Sequence, residues 1–216
     1  MGLLFDQKRS LWFESAFEVD LDNLLQYTST IEDLLKEKLD TFNLMVDKLA
    51  SNIPTEDIDD FYDSFGDDGW KLQETFPDIL RKSMFLTCYS RFEHGINSLC
   101  RFFSKQTEYK LKLSDLKHEG IIKAQVYLKS VVGIEFPDQT TSWQDVKKYN
   151  LIRNYIVHND SELDESEKAK EVRRFIEQKT TSTIDKGNKI KLSKEFSINF
   201  INTLRIFLGE LYKVLP

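Results

Sequence analysis

Residues that break helices are scarce: the 216 residues include only eight glycines and four prolines. The stretches between them are rich in Leu, Lys, Glu and Phe, which predicts a mainly helical chain with few turns. Cysteine is rarer still. Cys88 and Cys100 fall in one predicted helix, too far apart to bridge while it is intact, so reduced, buried thiols are expected. His94 lies between them, but no CxxC or HxxxH spacing accompanies it, which argues against a metal site. No apolar run approaches the roughly 20 residues that span a bilayer. The N-terminus, MGLLFDQKRSLWFES, lacks the basic, apolar and small-residue order of a signal peptide, and Asp6 stands where a myristoylation signal carries Ser or Thr. A cytoplasmic protein without membrane contact is therefore expected. P-loop, GxGxxG, nucleophile elbow and internal repeat are all missing, and nothing in the sequence asks for a cofactor.

What is present suffices for a substantial core: 40% of residues are hydrophobic and 12% aromatic, which makes disorder a poor reading. The net charge of −6 hides an uneven distribution, because residues 1–80 carry 19 Asp and Glu against 6 Lys and Arg. The remainder is basic, with 17 acids against 24 bases. Phosphate ligands respond to such local potential rather than to the average.

Residues 14–50 read as one long amphipathic helix or two in tandem. An acidic segment from Pro54 to Trp70 follows. Its carboxylates do not fit the alternate-position register of a calcium loop, so a solvated acidic helix and loop is expected. A long helix runs from Phe76 to about Thr107, with Tyr89, Glu93 and Asn97 stacked along one polar flank. Another helix is predicted over 114–132, begun by a Ser-Asp cap at Ser114. Seven bases between Arg101 and Lys129 favour a soluble face, with a phosphate track as the lesser reading. Ser142 is expected to cap the next helix, which ends near Asn159. A helix near 165–179, a small β-hairpin with a Gly turn over 181–192 and a final helix from Ser193 complete the prediction.

The helix reading YNLIRNYIVHND has two faces. At 100° per residue, Leu151, Ile152, Tyr155 and Ile156 share one sector, while Arg153, Asn154, Val157 and His158 share the opposite one. A fixed positive charge, a carboxamide and an imidazole thus gather around one aliphatic residue. An imidazole can take the proton of a ribose 2′-hydroxyl while a guanidinium holds the adjacent phosphate, and no metal is required. Asn154 would orient the phosphate or the imidazole, and Glu93 would hold Arg153 if the two long helices pack side by side.

Arg-Asn, three residues and His, framed by aliphatic positions in a late helix, resembles the Rx4-6H motif of the HEPN superfamily. The resemblance covers roughly residues 76–214, with Glu93 matching the acidic residue that faces the motif in many members. It implies an up-and-down four-helix core over 76–216, an acidic helical extension over 1–75 packed on that core, and a homodimer that brings two motifs together. Its further implications are an RNA substrate, cleavage to a 2′,3′-cyclic phosphate and a 5′-hydroxyl, the role of a toxin or antiphage-defence effector, and an antitoxin or sensor protein as partner. Val157 independently suggests a face covered by protein. Nucleotidyltransferase-paired members often carry Tyr two residues after the motif His; this chain has Asp160, which disfavours that subgroup. The alternative is a non-catalytic HEPN-like module that binds a protein or nucleotide through the same cleft, and a third is a scaffold whose acidic half docks a basic partner.

Overall fold

The computed structural model describes residues 2–106, 111–179 and 181–215, with side chains from residue 17 onward except at 106. It is an all-α helical bundle carrying one small antiparallel hairpin. Helix α1 spans Gly2–Ala50, α2 Ile58–Trp70 and α3 Phe76–Gln106. A π-helical turn at Lys71–Thr75 joins the last two, so the backbone stays helical across the 75/76 boundary. Helix α4, Gly120–Val126, continues as a second π-helical turn to Val132. Helices α5 (Thr141–His158) and α6 (Glu167–Lys179), strands β1 (Ser182–Ile184) and β2 (Ile190–Leu192), and helix α7 (Phe196–Tyr212) follow.

Aromatic rings hold the bundle together. Phe200 on α7 stands 5.1 Å from Phe85 of α3 and 4.8 Å from Tyr149 of α5, and Tyr149 meets Phe175 of α6 at 5.1 Å. A second nest joins Trp143 to Phe207 and Phe136, both at 4.9 Å. Such edge-on and offset pairs add to the area that each ring removes from water.

The acidic N-terminal helix shares this core, since Leu21 belongs to the same buried cluster as α3, α5 and α7. Its carboxylates also meet basic residues of the later helices. Glu18 and Asp22 accept from Arg205, and Glu32 takes Arg81 Nε at 2.7 Å. Part of the charge asymmetry is therefore satisfied within the chain.

Two local expectations need correction, and the hairpin forms as expected with Gly187 in its turn. Ser114 and Asp115 do not start a helix: Asp115 accepts from the Lys112 amide at 2.9 Å and from Ser114 Oγ at 3.1 Å, closing a separate 3₁₀ turn. The helix proper begins at Gly120, six residues later than expected. Thr140, not Ser142, caps α5 by accepting from the Trp143 amide, while Ser142 turns its hydroxyl to Glu210. In the hairpin the left-handed residue is Asn188, at φ 59°. Asp185 fixes that turn by accepting from the Gly187 and Lys189 amides at 2.8 and 2.9 Å.

Both cysteines lie on α3 with no exposed surface, and burial pushes each thiol up to about 12. Attack on a disulfide reagent requires the thiolate and access to it. Native protein at pH 8 is thus expected to leave an aromatic disulfide reagent unreacted over an hour and to release two equivalents after unfolding in guanidinium. Rapid release from the native state would contradict this packing. Among the described residues, no helix is long and apolar enough to cross a membrane.

Candidate functional site

The two faces of α5 are realised as the sequence pattern anticipates. Ile152 and Tyr155 are buried, Leu151 and Ile156 half-buried, Arg153 and Asn154 half-buried, and Val157 and His158 exposed. Val157 and His158 are therefore not covered by their own chain, whereas the scaffold reading required Arg153 and His158 both to be.

Arg153 lies against α3. Its guanidinium carbon stands 5.7 Å from the centre of the Tyr89 ring, and Nη1 donates to Asn154 Oδ1 at 3.0 Å. A cation over a ring face is held by the ring quadrupole. Tyr89 is itself fixed, buried with its hydroxyl donating to Asn150 Oδ1 at 2.7 Å. Burial raises the Tyr89 phenol well above its ordinary range, Glu93 raises it further and Arg153 partly offsets this. Arg153, Tyr89 and Glu93 are thus electrostatic neighbours.

Among the described residues no ion pair joins Glu93 to Arg153 within 4.0 Å; the group beside the guanidinium is the Tyr89 ring. Instead Glu93 Oε1 approaches Gly120, where a Cβ would stand 3.2 Å away. Gly120 also has φ 55°, a left-handed conformation that costs side-chain-bearing residues about 1–2 kcal/mol. Gly120→Ala is accordingly expected to destabilise the fold by about 1–2 kcal/mol, read as a lower urea midpoint with unchanged slope. An unaltered midpoint would show that this turn is not strained.

His158 and Asn154 open onto a groove of about 490 Å³ on the other side of the helix, towards the start of α6. Tyr155, Asp164, Ser166 and Lys168 also line it. The Ser166 hydroxyl and amide donate to Asp164 Oδ1 at 2.6 and 3.1 Å, which holds that carboxyl below its usual range. Tyr155 adds a third hydrogen bond at 3.1 Å. This carboxylate is therefore committed to shaping the loop.

The backbone after His158 is fixed with equal care. Asp160 and Ser161 both adopt left-handed conformations, at φ 48° and 67°, and the Ser161 amide donates to Tyr155 O at 2.9 Å. The hairpin then clamps the turn: Lys189 pairs with Asp160, and the Ile190 amide donates to Ser161 O at 3.0 Å. Asp160, where one HEPN subgroup carries Tyr, thus has a structural partner.

Neither a known family model, a curated protein nor a solved structure matches this chain. The site must be judged on its own geometry. Asn154 is the shared member, hydrogen-bonded to Arg153 on one side and lining a groove with His158 on the other. The sequence reading named Arg153, Asn154 and His158 but missed Tyr89 as the guanidinium's support and Lys168 as a second cation at the groove. Tyr89 carried a signal, standing one turn before Glu93 on the same flank. Lys168 carried none, because its place depends on how the loop from Asn159 folds back.

Proposed function

We propose that this chain is a metal-independent endoribonuclease of HEPN type, acting as a homodimer joined across the Arg153, Val157 and His158 face of α5. The observation that carries the reading is Asn154, which links a half-buried, ring-supported arginine to an exposed histidine through one hydrogen bond and one shared groove. A solvated helix face would not organise a guanidinium in this way. Val157, 45% exposed beside these polar groups, supplies the apolar contact for a second subunit.

In the reaction, the His158 imidazole takes the proton of a ribose 2′-hydroxyl. The 2′-oxygen forms a bond to phosphorus, the bond from phosphorus to the 5′-oxygen breaks, and the leaving oxygen takes a proton from water. Arg153 offsets the charge that builds on the phosphoryl oxygens, and Asn154 orients them. The role proposed is that of a toxin or defence effector, with an antitoxin or sensor protein as regulator.

The test is incubation of purified protein with mixed RNA in excess EDTA. Fragments with 2′,3′-cyclic phosphate and 5′-hydroxyl ends are expected. Intact RNA would overturn the catalytic reading and leave the binding module, recognised by a partner-dependent gain in melting temperature.

A further inference from the structure

A basic concavity lies further along α3 from the candidate centre rather than in it. A cavity of about 670 Å³ between α3 and α4 is lined by Arg101 and Lys105 of α3, Lys112 of the connecting turn and Lys123 of α4, together with Asn97 and Gly120. Among the described residues no carboxylate lines it. Among the described residues none of the four cations makes an ion pair within 4.0 Å. Other basic residues of the chain differ: Arg81, Arg91 and Arg205 each have a carboxylate of α1 beside them. Asp115, three residues from Lys112, has its oxygens occupied by the Lys112 amide and Ser114 Oγ. Arg101 is also braced, its Nη2 donating to Ser98 Oγ at 2.8 Å. Four cations from three segments, none in an ion pair among the described residues, leave around one concavity a potential that a polyanion relieves.

One flank of α3 leads from the centre to the cavity. Tyr89 supports Arg153, Glu93 follows one turn later and reaches Gly120, and Asn97, one turn further, lines the cavity. From Tyr89 to Arg101 the helix advances about 18 Å, a distance that a few nucleotides cover. A groove between two helices admits one strand and not a duplex. We infer that the α3–α4 groove is the track that holds the sugar-phosphate backbone of single-stranded RNA on its way to Arg153, Asn154 and His158. The identity of the ligand rests on the ribonuclease reading; the anionic character of the ligand rests on the groove alone.

The experiment measures binding, in the His158→Ala background so that RNA stays intact. A fluorescent single-stranded RNA of about 20 nucleotides is titrated with His158→Ala protein and with the same protein also carrying Lys112→Glu and Lys123→Glu. Lys112 is exposed and Lys123 half-buried; equal melting temperatures establish that the fold is kept, and Lys112→Gln with Lys123→Gln provides a milder pair. A matched control carries Lys186→Glu and Lys213→Glu, two exposed positions elsewhere. At least a 10-fold loss of affinity is expected for the groove pair, with a salt slope shallower by about 1.4, and little change for the control. Equal loss in both pairs, or none in the groove pair, overturns the track. If wild-type protein cleaves RNA and the groove pair binds normally, the track alone fails. If nothing is cleaved and the groove pair still loses its affinity, the cleavage reading alone fails.

Discussion

Replacing His158 by alanine is expected to lower RNA cleavage by about 10²–10⁴-fold, the usual contribution of a positioned acid or base. The melting temperature should stay within about 2 °C, because exposed substitutions rarely shift stability by more than about 0.5 kcal/mol. His158 sits in the last turn of α5 with no hydrogen-bond partner among the described residues, so its removal leaves no buried group unsatisfied. The loss should fall on kcat, since the imidazole acts on a proton in flight and not on the phosphate at rest. Arg153→Lys offers a contrast: it keeps the charge but forfeits the guanidinium over the Tyr89 ring and its Nη1 donor to Asn154. A His158→Ala protein that cleaves at the wild-type rate would remove this residue from the mechanism.

Phe200→Ala is the substitution with the largest expected cost to the fold, about 3–5 kcal/mol. Its ring has no exposed surface and meets Phe85, Tyr149 and, in a stacked arrangement at 6.0 Å, Tyr89. The cavity left behind would lie where α3, α5 and α7 converge, on rings too large to close over it. For a chain of this size the melting temperature should fall by about 6–20 °C. Because Tyr89 leans on Phe200 and Arg153 on Tyr89, activity measured well below the melting point should weaken as well. Retention of both stability and activity would show that the ring cluster is more plastic than its packing implies.

The helices were legible because their apolar residues recur at helical spacing over many turns, and α3 begins at Phe76, where the sequence placed its start; its expected end near Thr107 lies outside the described residues. Boundaries set by single hydrogen bonds were less so. Thr140 and Ser142 are equally good caps on paper, and only the Glu210 side chain from α7 decides between them. The same limit governs the site. Arg153, Asn154 and His158 could be named from one helix, whereas the choice of Tyr89 over Glu93 as the arginine's neighbour depends on how α3 and α5 pack against each other. The basic run after Arg101 looked like an ordinary solvated surface, because its residues come together only when the turn at Leu113–Asp115 folds Lys112 back towards Lys123.

The left-handed pair at Asp160 and Ser161 has a consequence for motion. Helix ends ordinarily fray, opening and closing far more often than the global unfolding event. Here the terminal carbonyl of Tyr155 takes the amides of both Asn159 and Ser161, and β2 grips Ser161 from the far side. Amide exchange at Asn159 and Ser161 should therefore be slow, closer to that of the helix middle than to a loose terminus. The imidazole one residue earlier is then mounted on a still backbone and free only about its own side-chain bonds, so its search for a proton is one of rotamers and not of chain.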